Sequence, residues 1–136
     1  MTGTTEALLL FPDGIEELHT VTHLGGDRYR LDTSPVLSEC ATFGDVISAS
    51  VSAPGRLQVL QVVQRSPYNT VVWAISPEVA ESAQLVEFLD LVVASGGAWE
   101  RVFGGLLYLH TPLLSDIDLS CEYERIVRRR LPRHTE

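Results

Sequence analysis

The sequence contains no lysine; all ten of its basic residues are arginine. Schiff-base and lysine general-base chemistry are therefore excluded. Cysteine is scarce: Cys40 and Cys121 lie far apart and form no Cys-x-x-Cys, which fits reduced thiols in a cytoplasm, packed as small hydrophobes. Long apolar runs are also missing. The longest, around Val86 to Ala94, is interrupted by Glu87 and Asp90 and falls short of the ~18 to 20 residues a membrane span needs. The segment Met1 to Glu6 lacks a basic n-region and the run Ala7 to Phe11 is too short for an h-region, so neither export nor membrane insertion is expected. No internal repeat, Gly-x-Ser-x-Gly, phosphate-cradling glycine loop, His-Glu-x-x-His or nucleotide-binding fingerprint occurs. The common enzyme signatures are absent, and no cofactor is implied.

What is present is acid. The 136 residues carry a formal charge of -8. Residues 1–100 hold 13 Asp and Glu against 4 Arg, and residues 101–136 hold 5 against 6. An acidic body repels phosphate backbones, because nucleic-acid affinity rests on Lys and Arg replacing condensed counterions. The expected partner is a protein or a second copy of the chain, with neither nucleic acid nor membrane as target.

A chain of this length buries roughly two thirds of the surface its unfolded form exposes, enough for a core without disulfides. We read a single folded domain over 1–136, mainly β over 1–75 and α+β over 76–136. The first part offers apolar or β-branched runs at Glu6–Phe11, Glu17–Leu24, Arg28–Asp32, Asp45–Val51, Leu57–Gln64 and Thr70–Ile75. Gly25-Gly26, Ala53-Pro54-Gly55 and Ser66-Pro67-Tyr68-Asn69 separate several of them as turns. From Ser76-Pro77-Glu78, a hydroxyl cap followed by proline and a carboxylate, the spacing of Val79, Ala83, Val86, Leu89 and Val93 predicts one helix reaching about Ser95, stopped by Gly96-Gly97. Gly104-Gly105 joins a second hairpin, Trp99–Phe103 with Leu106–His110. Ser115 is the expected cap of a last helix whose apolar stripe is Leu119, Tyr123 and Ile126 or Val127. The fold class is α+β: a small barrel-like sheet, then a ferredoxin-like strand-helix-hairpin-helix unit.

The segments Asp27-Arg28-Tyr29-Arg30-Leu31-Asp32-Thr33-Ser34-Pro35, Phe43-Gly44-Asp45-Val46 and Val62-Val63-Gln64-Arg65-Ser66 keep the order found in a bacterial family, domain of unknown function 4265, which the chain resembles over about three quarters of its length. Thr33 and Ser66-Pro67 stand where that family tends to Asn and Ser-Gly. The resemblance implies a fold and no site. Gly44-Asp45-Val46 also looks like a strand-entry turn of small β-barrels, glycine taking the sharp bend and the carboxylate accepting backbone N–H groups.

His19 and His23 stand four apart in a β-branched run, so an extended strand separates them by about 13 Å, too far for one metal ion. No metal site is expected. Arg125, Arg128, Arg129, Arg130 and Arg133, with His134, form the one basic patch, at and beyond the end of the last helix, where the arginines match its dipole and offer a cationic tip, Arg125, Arg128, Arg129 and Arg130 above all, to an acidic protein surface. The leading expectation is a non-enzymatic protein-binding or regulatory module using this tip or a sheet face. The alternative is a small enzyme or metabolite-binding protein with a pocket between the two halves, using His110 with Asp32, Asp45 or Cys40.

Overall fold

A computed structural model describes residues 3–128. They fall into two compact units that divide after Pro67. The boundary lies upstream of the expected 75/76 because the strand Tyr68–Ala74 pairs within the second unit and not with the strands that precede it.

The first unit is all β: β1 (Gly3–Leu10), β2 (Glu16–Gly25), β3 (Arg28–Leu31), β4 (Val46–Ala53) and β5 (Arg56–Gln64). Consecutive strands pair antiparallel. β1 also runs parallel to β5, with Leu8–Leu10 against Arg56–Gln58, which returns the strand order on itself as a barrel. The period of two in the sequence sets the core, since alternate strand residues share a face. Leu9, Val21, Leu31 and Ile47 are fully buried inside, joined by Phe11 beyond β1. Each such side chain contributes roughly 1.5–3 kcal/mol of apolar burial. Gly44 takes a left-handed φ of 87°, and the fully buried Asp45 beside it accepts the backbone N–H groups of Thr42 (2.9 Å) and Ser66 (2.7 Å) and the Thr42 hydroxyl (3.2 Å). The turn thus ties the entrance of β4 to the exit of β5.

The second unit is α+β. It runs β6 (Tyr68–Ala74), α1 (Pro77–Ala80), α2 (Ala83–Ala94), β7 (Ala98–Val102), β8 (Leu106–Pro112) and α3 (Leu119–Ile126). The sheet order is β6-β8-β7, with β8 antiparallel to both neighbours, so β6 and β7 run the same way on its two sides. Trp73, Leu107 and Leu109 on one sheet face form a core with Val79, Phe88 and Val92 of the first two helical pieces and with Ile126 and Val127 at the end of α3. Trp73 stacks on Phe88 and meets Tyr123 edge-on.

The single helix expected to reach Ser95 is two pieces. Ser82 is extended (ψ 146°), donates its hydroxyl to the Val79 carbonyl (2.8 Å) and accepts the Leu85 N–H (3.2 Å), so it closes α1 and caps α2 in one step. The last helix likewise starts later than expected. Asp118, not Ser115, is its cap, accepting the Cys121 N–H at 3.1 Å, while the Ser115 hydroxyl accepts the Ile117 N–H in the loop before it. Gly97 is required for a different reason: a Cβ there would collide with the His110 carbonyl, so the turn out of α2 approaches β8 only without a side chain.

Candidate functional site

Each unit holds a buried histidine between a hydroxyl and a carboxylate. In the first, β2 turns His19 inward, edge-on to Phe11. Its Nε2–H donates to Glu17 Oε1 (3.0 Å), and Nδ1 lies 2.7 Å from the Thr33 hydroxyl. The Glu17 carboxylate also accepts three consecutive backbone N–H groups, Val36 at 3.0 Å and Leu37 and Ser38 at 2.8 Å. Burial alone would raise the Glu17 pKa, but those N–H groups and His19 outweigh it and hold the carboxyl below its ordinary 4.5. Asp13 secures the same loop by accepting from the Ser38 hydroxyl (3.0 Å) and the Glu39 N–H (3.3 Å).

In the second unit His110 is fully buried on β8, with Nε2–H donating to Glu100 Oε2 on β7 (2.6 Å) and Nδ1 2.8 Å from the Thr70 hydroxyl on β6. Strand register produces the set: Thr70 and Ala98 both stand opposite His110, and Glu100 is two residues along. A hydroxyl, an imidazole and a carboxylate in this order are the connectivity of acyl-transfer triads. Here both ring nitrogens are spent inside the sheet, and the ring has no solvent exposure from which to meet a substrate. The arrangement is a latch across three strands.

The residues singled out from sequence have separate partners. Asp32 accepts from the Thr22 hydroxyl and from Arg30 Nε (2.8 Å). Asp45 holds the turn described above, and Cys40 packs half-buried against the barrel core. His110 is engaged with Thr70 and Glu100 in its own unit. Cys121, expected to pack as a small hydrophobe, is exposed on α3; His19 is buried and stands opposite Ala7 of β1, while His23 stands opposite Tyr29 across the β2–β3 hairpin and stacks on it. Among the described residues no group of three or more His, Cys, Asp or Glu could hold a metal ion. Arg125 bonds Glu122 (2.6 Å) and Arg128 bonds Glu124 (2.9 Å), one helical turn back. Both cations thus have an acidic partner, each in a pair that reaches solvent. Arg129, Arg130, Arg133 and His134 lie outside the described residues.

A surface that no sequence motif signalled lies along β6. Among the described residues no strand pairs with its side away from β8. The strand, Tyr-Asn-Thr-Val-Val-Trp-Ala, has no charged residue and no proline, and Val71 and Val72 are 37% and 46% exposed. The other edge, β7, carries Glu100 and Arg101. Charge is the usual guard of a sheet edge, and β6 lacks it. Beside β6, a hollow of about 560 Å³ is floored by Val71 to Ala74 and walled by Leu119, Tyr123 and Glu124 of α3. A second of about 340 Å³ adjoins it toward Asn69 and Asp118, sharing Val71 and Leu119. Together they make a groove between an edge strand and a helix.

No helix among the described residues is long and apolar enough to cross a membrane. No family model matches the chain, and no curated protein matches it. A solved structure does: a hypothetical protein from Neisseria gonorrhoeae superimposes with a TM-score of 0.53 over 89% of this chain and 88% of that one, at 12% sequence identity. That similarity is one of fold.

Proposed function

We propose that the chain is a non-enzymatic protein-binding or regulatory module of the cytoplasm, and that it recognises its partner along the open edge of β6. One observation carries this reading: a seven-residue edge strand without charge or proline, bearing exposed valines beside a groove, where the opposite edge of the same sheet carries the exposed Arg101. Arg125 and Arg128 each stand beside an acidic neighbour, whereas β6 offers an edge with no guarding charge, and the choice falls on the sheet. We also read the second unit as three strands of a ferredoxin-like fold. The order β6-β8-β7, with helix between the two parallel strands and after the hairpin, supports it.

The test is capture from the native host by the wild-type chain and by Val72→Lys, which places a guarding charge at an already half-exposed position. A stoichiometric partner held by the wild type and lost by an equally folded variant is the expected result. Turnover of a small molecule that disappears in a folded His110→Gln variant would replace this reading with the enzymatic one.

A further inference from the structure

Resting on the protein-binding reading above, we propose that the groove along β6 takes an extended, arginine- or lysine-rich segment of another protein, which joins the sheet as a fourth strand beside β6. The backbone supplies the first reason. An edge strand presents alternate N–H and C=O groups outward, and an extended peptide is the ligand that satisfies them in sequence.

Side chains supply the second. Successive residues of an added strand point to opposite faces. Every second one would enter the hollow over Val71, Trp73 and Tyr123, an apolar surface; the others would lie over Thr70 and Val72 on the face without helices. The positions over Thr70 and Val72 are thus suited to apolar residues, in alternation with those that enter the hollow.

Charge decides what enters the hollow, where the stem of an arginine or lysine can lie on the apolar floor while its head group reaches the rim. The charged residues lining the two hollows are Asp118 and Glu124, both acidic. Arg128 reaches Glu124 at 2.9 Å, but both are half-exposed or more, and such a surface pair is easily exchanged for an incoming arginine or lysine. A second copy of this chain would bring another formal charge of -8 toward the same groove, whereas a basic segment is drawn to it.

The experiment titrates the whole isotope-labelled chain with two synthetic octapeptides. One alternates valine with arginine or lysine, and the other carries glutamate at the basic positions. The basic peptide is expected to shift and protect amides within Asn69–Trp73, to weaken several-fold between 50 and 300 mM salt, roughly as screening of exposed charges requires, and to bind Val72→Lys at least tenfold less well. Ala74→Lys, at another exposed position of β6, serves if Val72→Lys folds poorly. The inference is overturned if the basic peptide leaves β6 unprotected at millimolar concentration or if the glutamate peptide binds equally. It is also overturned if sedimentation finds a dimer that Val72→Lys dissociates, which makes a second copy the occupant. If a native partner holds the wild type and Val72→Lys equally, the β6 assignment fails while the protein-binding reading survives.

Discussion

Replacing Glu17 with Gln tests the carboxylate clamp of the first unit. Four donors converge on the two oxygens: His19 Nε2–H and the Val36 N–H on one, the N–H groups of Leu37 and Ser38 on the other. Glutamine keeps one acceptor and turns the second into an NH₂, which then faces two N–H donors. Hydrogen bonds to charged groups contribute ~1.5–3 kcal/mol each. Losing two should cost about 3 kcal/mol, somewhat reduced because Leu37 is near solvent, or on the order of 10 °C in melting temperature. The pH dependence has a definite sign. The folded-state pKa of Glu17 is depressed below 4.5, so its contribution is fully present above the unfolded value and is lost as pH falls through the folded one. Glutamine does not titrate. Melting of both proteins from pH 7 to pH 3, followed by circular dichroism, should show a gap that is widest near neutrality and closes in acid. Equal stability at pH 7, or a gap that stays constant with pH, would refute the clamp.

Asp45→Ala removes the acceptor of two backbone N–H groups and a hydroxyl at a fully buried site, and should cost about 2–4 kcal/mol in urea titration. His110→Leu should lower stability by about 2 kcal/mol, since two hydrogen bonds disappear, and should speed amide exchange in β6 and β7 alike. Phe103 is the sole non-glycine at positive φ (54°) among the described residues and is 83% exposed. Phe103→Asn, a residue that tolerates that backbone, should raise the melting temperature by a few degrees, at ~0.5–1 kcal/mol. A fall instead would mean that the ring makes a contact worth more than the strain.

Strands and helices were legible where local pattern decides them. Gly25-Gly26 between β-branched runs sets a hairpin, and Ser76-Pro77 starts a helix, because both act within a few residues. The break at Ser82 is not legible because its apolar neighbours keep the helical spacing through it; the hydroxyl that ends α1 and caps α2 differs in no way, as a letter, from a solvent-facing serine. Asp45 was readable as a turn carboxylate from Gly44 beside it. Thr70, Glu100 and Glu17 were not, since their partners are 40, 10 and about 20 residues away and meet only through strand register or loop closure. The β6 edge was hidden similarly. An uncharged run of valines reads the same at the centre of a sheet as at its margin, and only the order β6-β8-β7 places it outside.

The latch has a consequence for recognition. Because Thr70, His110 and Glu100 belong to β6, β8 and β7, the marginal strand cannot peel away without breaking the bond that anchors it to a buried ring. β6 is therefore held extended before any ligand arrives, and the ordering entropy of association falls on the incoming segment alone. Loosening the latch from its far end by Glu100→Gln, on a strand the incoming segment does not touch, would then weaken strand addition from within the sheet.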